Sequence, residues 1–588
     1  MKKEMNGIAF DIDLNGQNAE FETEELESEP AINLYRIRFT LHKKAVPKKI
    51  TLQFHFPRND IFSVFKPNAK LISGVLPDWN PVKSSASAVS GAPVLALISK
   101  GDANRLTVAL SDCKTPCCIK AGFNEAQKDM TVCVEIFTSA VSPLCEYETV
   151  LRLDMRNIPA SRSISDVTVW WKRTGYSTAY LPQAATMPMY APWYAYQQKF
   201  TDDILLEECK YAKSLGMEAI IVDDGWQTED SSGGYAFCGD WKICRNKIHD
   251  MKKFVADLHR IGMKIILWFS VPFMGKYAES VERFRGKYLY FNSNLDSYVF
   301  DPRFREVREY LVGTYANFLK TYDLDGFKLD FIDAFRLTEE SPENYADMDH
   351  VSLEDAVDAL LSEICNRLKE IKPDILLEFR QHYTGVMMQK YGNMFRVGDC
   401  PGDATTLRVG VAELRMLTRG VAIHSDPLIW NYRDPVEYAA YQLNHSIFAV
   451  PQISLKFGEI SEQHRKMLSY YLQYYKDNRE ILLFGELYAD GFEQNYKSIT
   501  AKGADKEITV LYGKNIYDYH SKSRIYIDLI NATAGTTVFI RSEAEAEICV
   551  KITDCRGENV ENNKVVLRSG MNEFCIPISG FMNIKKIW

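Results

Sequence analysis

Residues 325–335 read DGFKLDFIDAF, an apolar and aromatic run of strand length that carries Lys328 and three aspartates, Asp325, Asp330 and Asp333. Alternation along a strand places Phe327, Leu329 and Phe331 on one face and Lys328, Asp330 and Ile332 on the other. A core strand holds charges on one face only where that face meets an opposite charge or a functional site. Seven further apolar runs share the chain with it: MYAPWYAYQ (189–197), MEAIIVDDGW (217–226), MKIILWFSV (263–271), DILLEFRQ (374–381), NMFRVGDC (393–400), GVAIHSD (420–426) and PQISLKFGEI (451–460). Helical sequence separates most of them. TDDILLEECKYAKSLG (201–216) opens on a Thr/Asp cap, spaces Leu205, Leu206, Cys209, Ala212 and Leu215 along one face and closes on Gly216. Eight such units, with no glycine-rich phosphate loop after the first strand, predict an α/β fold of the (β/α)8 TIM barrel type rather than a doubly wound sheet.

The barrel is flanked by β sequence on both sides. Up to about residue 180, runs such as INLYRIRFTLH and KKITLQFHF alternate with the period of half-buried antiparallel strands. After about residue 485, KEITVLYG, RIYIDLINA, TTVFI and AEICVKI return to that pattern. The expected organisation is an N-terminal β-sandwich domain (1–183), a catalytic barrel (184–485) and a small C-terminal β-sheet domain of sandwich type (486–588). Asp11 to Glu22, DIDLNGQNAEFE, matches a calcium-loop template, but its flanks alternate like strands about an Asn-Gly turn, so a hairpin is expected and no metal.

The 588 residues are 46% hydrophobic and 25% charged, with a net charge of -8 and a pI near 5.8. That balance belongs to a globular protein and argues against nucleic acid as partner. Neither a signal-peptide core nor a run long enough to cross a membrane stands out, so a cytoplasmic protein is expected. The 13 cysteines are odd in number and scattered, and read as reduced, mostly buried thiols.

Chemistry-bearing residues collect at the C-terminal ends of the barrel runs: Asp223, Asp224 and Trp226, then Trp268, Asp330, Asp399, and His424 with Asp426. Active sites of barrels are built at that end. Lys328 and Asp330 point together into the mouth, where an ammonium would keep a carboxylate ionised, as a nucleophile requires. With Asp399 on another strand the chain has the two carboxylates of a glycosidase. Asp223 and Asp224 suit adjacent sugar hydroxyls with the Trp226 indole against the apolar sugar face, and Trp193, Tyr194, Trp241 and Trp268 add aromatic surface.

The order of APWYAYQ, IIVDDGWQ, GDW (239–241), HRIGMKIILWF, DLDGFKLDF and FRVGD resembles the retaining α-galactosidases of glycoside hydrolase family 36. The resemblance implies Asp330 as nucleophile, with Lys328 binding sugar hydroxyls and keeping it charged, and Asp399 as general acid/base near Arg396. It implies Asp223 and Asp224 on the 4- and 6-hydroxyls of an axial-4-OH sugar, and Trp193, Tyr194 and Trp268 along the subsite. It further implies an oligosaccharide substrate, no cofactor, and a homo-oligomer, the state family members often adopt.

The sequence also departs from the family. LWFSVP places Ser270 where a glutamate of LWFEPE is common, and Glu378, Phe379, Arg380 and Gln381 stand where a CxxGxR motif is usual. That region meets the sugar's 2-position, so an N-acetylgalactosamine or another galacto-configured sugar is an alternative substrate. GDCPGD offers both Asp399 and Asp403 as acid/base; Asp399 is preferred for its closeness to the strand end and to Arg396. Glycosyl transfer on the same covalent intermediate is a second enzyme class. A non-catalytic sugar-binding module is a third reading, disfavoured because both Asp330 and Asp399 are present.

Overall fold

The computed structural model describes residues 1–342, 346–383, 385–520 and 523–587. At its centre eight parallel strands form one sheet: β1 (Met189–Tyr190), β2 (Ala219–Val222), β3 (Lys264–Ser270), β4 (Gly326–Asp330), β5 (Leu376–Arg380), β6 (Met394–Arg396), β7 (Ala422–His424) and β8 (Gln452–Ile453). β8 pairs with β1, and bridges His424–Val450 and Leu428–Ile453 bring β7 to the β8 segment, closing the barrel. All eight runs read from the sequence are strands. The strands are short and almost wholly buried because both faces are covered, one by the barrel interior and one by helices.

The main helices are α1 (Ala160–Arg173), α2 (Asp202–Ser214), α3 (Met251–Arg260), α4 (Arg305–Tyr322), α5 (Leu353–Ile371), α6 (Ala404–Leu417), α7 (Val436–Ser446) and α8 (Glu462–Phe484). α2 follows its sequence signals: Thr201 caps it, Leu205, Cys209 and Ala212 are buried, and Gly216 takes a φ of +95° just past its end. Between β5 and β6 the described chain makes only a 3-10 turn, Val386–Lys390. There the N-terminal region covers the barrel instead. Gly326 is required by close approach, since a Cβ there would sit 2.3 Å from the Leu376 carbonyl oxygen of β5.

Before the barrel, a six-stranded and a seven-stranded sheet pack face to face. Their core interleaves Phe10, Leu52 and Val132 of one sheet with Tyr35, Leu97 and Leu151 of the other. Two expectations change here. The Asn-Gly turn does lie between strands, Ile8–Asp13 and Ala19–Leu26, but these belong to different sheets, so the segment crosses the sandwich and is not a hairpin. Residues 160–173 are helical rather than extended: Ile164, Val167 and Trp171 recur at helical spacing and are buried. After the barrel, a seven-stranded and a three-stranded sheet form the C-terminal β region. All cysteines are free thiols and most are buried, and among the described residues no helix is long and apolar enough to cross a membrane.

At the start of the opening stretch, Asp325 is buried at the bottom of the barrel, accepts from the Ile265 backbone N–H at 3.0 Å and His259 Nε2 at 2.8 Å, and pairs with Lys264 and Lys372 at 3.2 Å each. Burial opposes its charge, but these donors outweigh it and hold the carboxyl below its usual range. Asp325→Ala is expected to cost about 2–3 kcal/mol, read from the denaturant midpoint, because it orphans a buried N–H and its cations. At the other end β4 stops at Asp330. Phe331 has a φ of +64° and turns out of the strand's outer face to pack on Tyr235 and Phe273 at the mouth.

Candidate active site

Asp330 is the last residue of β4 and is buried. Its Oδ1 accepts from Arg380 Nε (2.8 Å), Tyr383 OH (2.5 Å) and the Phe331 backbone N–H (2.8 Å). Its Oδ2 accepts from Trp268 Nε1 (2.9 Å) and lies 3.8 Å from Lys328 Nζ, which leaves this oxygen the less committed of the two. Burial alone would raise the carboxyl's pKa, but Arg380, Lys328, Tyr383 and Trp268 together hold it well below the usual carboxylate range. Lys328 is not mainly the partner of Asp330, as expected, but of Asp223, whose Oδ2 it contacts at 2.6 Å. The missed partner is Arg380, on the fifth strand two residues beyond Glu378 and facing inward like it.

Asp224 is almost wholly buried and occupied by two amides, Gln198 and Gln227, each at 2.6 Å, while burial raises its pKa to about 6. Asp223, which carries Lys328, is therefore the more available of the pair. Trp226 cannot offer a face to a sugar: it is completely buried, stacks on Trp241 and donates its indole N–H to the Trp268 carbonyl. Trp268 holds Asp330 and lies against Tyr235 at 6.0 Å. Trp193 and Tyr194 sit in a short helix, Trp193–Tyr196, that has no buried residue, and Tyr194 OH donates to Asp426 Oδ2 at 2.9 Å.

A second cluster forms around Arg396, buried at the end of β6. It donates to Asp426, which is also bound by the Cys400 N–H at 2.8 Å, and its Nη2 donates to Asp399 Oδ1 at 2.8 Å. Burial raises Asp426 to about 6 and Glu378, 3.8 Å from Arg396 Nε, to about 7. Asp399 differs: its side chain is 56% exposed, and although surrounding protein works against its charge, Arg396 and Arg380 outweigh that and lower its pKa. Asp403 is elsewhere employed, capping α6 through the Thr405 and Thr406 N–H groups at 3.1 and 3.0 Å. His424, buried inside the barrel with its pKa pulled to about 3, bonds the Ala185 carbonyl.

The segment after β5 is held from outside the barrel. Glu413 of α6, 2% exposed, accepts from the Asn68 N–H (2.6 Å), the Ala69 N–H (3.2 Å) and Gln381 Nε2 (2.8 Å); burial still pushes its carboxyl up to about 8. Gln381 in turn accepts from the Gly398 N–H, and the His382 carbonyl accepts from the Gly91 N–H at 3.1 Å. Two loops of the N-terminal sandwich thus fix the turn carrying Arg380 and Tyr383.

Chemically, the mouth joins a dry, ionised carboxylate in a fixed donor cage to a more exposed carboxylate beside a different guanidinium. Residues 182–381 match the Melibiase family model. Over 148 residues the chain is 29% identical to α-galactosidase Mel36A of Lactobacillus acidophilus, and over 80 residues 31% identical to the bifunctional α-galactosidase/sucrose kinase AgaSK of Mediterraneibacter gnavus. These stretches are 24% and 13% of this chain and span only 20% and 8% of those relatives. Among solved structures, a variant of the GH36 α-galactosidase AgaA of Geobacillus stearothermophilus, in complex with stachyose, superposes with a TM-score of 0.67 at 14% identity, covering 97% of this chain and 81% of that one. The α-galactosidase of Lactobacillus brevis gives 0.63 at 13% identity, covering 99% and 86%. The fold is that of the family 36 α-galactosidases, and residues 182–381 of this chain are similar to the melibiase family.

Proposed function

We propose that the protein is a retaining, exo-acting α-galactosidase that releases terminal α-galactose from oligosaccharides. Asp330 Oδ2 attacks the anomeric carbon and the C–O bond to the leaving sugar breaks, while Asp399, in the fraction of molecules that hold it protonated against Arg396 and Arg380, gives its proton to that oxygen. A galactosyl ester on Asp330 results. Asp399, now a carboxylate, takes a proton from water as the water oxygen displaces Asp330, restoring both groups and the α configuration. Asp223 and Lys328 bind ring hydroxyls beside the nucleophile, and Trp268, Arg380 and Tyr383 fix it in place. The observation that carries this reading is the donor cage that keeps a buried Asp330 ionised at the C-terminal end of a melibiase-type barrel. Turnover of α-galactosides with release of α-galactose as first product, followed by NMR, tests it; release of the β anomer or no turnover would sink it.

A second reading rests on the fifth strand, where Glu378 and Arg380 replace the family's usual motif beside the 2-position. It makes the substrate an α-N-acetylgalactosaminide or another galacto-configured sugar, and a panel of aryl glycosides decides between the two. Transfer to a sugar acceptor would use the same residues and appears as new disaccharide at high acceptor concentration.

The pH profile carries a further expectation. Arg396 stabilises the charged form of Asp399, so its removal raises that group's pKa and lets the acid keep its proton to higher pH. In Arg396→Gln the alkaline limb of kcat/KM for a substrate with a poor leaving group moves upward by about one pH unit. An unmoved limb in a folded variant would exclude Asp399 as the acid.

A further inference from the structure

A cavity of about 750 Å³ lies away from the mouth, where the N-terminal sandwich, α1, the ends of α6 and α8 and the start of the C-terminal sheets meet. Its walls carry six arginines and four carboxylates. Three of the arginines are paired: Arg152 and Arg156 on Asp154, Arg156 and Arg162 on Asp166, and Arg162 on Glu486. Among the described residues no carboxylate lies within ion-pair distance of the other three, Arg173, Arg415 and Arg419. Arg415 gives one N–H to the Gly485 carbonyl at 2.9 Å, but its buried Nε has no partner, and neither has Nη1 of Arg152, which is 4% exposed. Burial and the neighbouring Arg419 lower the Arg415 pKa to about 9, so uncompensated positive charge is concentrated there. Trp170, partly buried, supplies an indole on the same wall.

Unpaired guanidiniums around a concave space are suited to phosphate, which they bind with paired N–H donors. A volume of this size takes a small metabolite, and an indole accommodates a sugar face. We propose that this cavity is a binding site for a phosphorylated monosaccharide, separate from the barrel mouth and independent of the reaction proposed there.

The test titrates the full-length protein with galactose 1-phosphate, inorganic phosphate and free galactose, by calorimetry at low salt. The expected result is saturable binding of the sugar phosphate at one per chain that excess galactose does not displace, weakened at least tenfold in Arg173→Ala/Arg419→Ala and unchanged in Asp330→Ala. Both substituted arginines are exposed, so the double variant is expected to fold; Arg415→Gln gives a second, partly buried position to compare. Equal affinity for inorganic phosphate would overturn the sugar part of the proposal and leave a bare anion site. Absence of saturable binding, binding unchanged in the double variant, or binding lost in Asp330→Ala would each overturn the proposal.

Discussion

Asp330→Ala is expected to lower turnover of an aryl α-galactoside by about four orders of magnitude or more, since the proposed glycosyl ester forms on its carboxylate. The substitution also leaves a small space beside Arg380, Tyr383 and Trp268, whose donors formerly faced a carboxylate. Azide fits a site that favours an anion, and the variant should regain part of its activity in azide and form β-galactosyl azide, identified by NMR. Full activity without azide would remove Asp330 from the mechanism. Loss without rescue, in a protein of unchanged melting temperature, would count against its role as nucleophile.

Asp399→Ala and Asp403→Ala should separate sharply. A lost acid slows substrates with poor leaving groups by about a hundredfold to ten-thousandfold and spares activated ones, because only the former need a proton at the departing oxygen. Asp399→Ala is expected to show that split. Asp403→Ala removes a helix cap and is expected to cost about 1 kcal/mol of stability with little change in the leaving-group dependence. If Asp403→Ala shows the split instead, the acid has been misplaced.

Much of this site was legible because barrel strands obey a period of two and their C-terminal ends converge. That rule puts Lys328 and Asp330 inward, and applied equally to DILLEFRQ it puts Glu378 and Arg380 inward. From the sequence these last two stand out only as departures from a family pattern, which hides the strongest partner of Asp330. Other contacts had no local signal. Tyr383 lies beyond its strand in a turn fixed by distant loops, and Asp426 is joined to Tyr194 and Arg396 across the barrel. Which partner Lys328 chooses depends on distances between strands, which spacing along one strand cannot supply. Trp226 misled for a related reason: an indole after a strand end reads the same whether it faces the mouth or, as here, packs against Trp241, Phe269 and Phe318. The helix at 160–173 was hidden by a different cause, a long alternating region that suggested strands throughout.

The clasp on Glu413 makes the protein a poor candidate for modular exchange. A barrel excised from its sandwich would retain every residue assigned to catalysis, yet Glu413 would lose the Asn68 and Ala69 N–H groups and face solvent or a void with Gln381 alone. The lesion would then run through Gln381 to the neighbouring Arg380, and so to the charge state of Asp330. In this chain the boundary between scaffold and catalyst does not follow the boundary between domains.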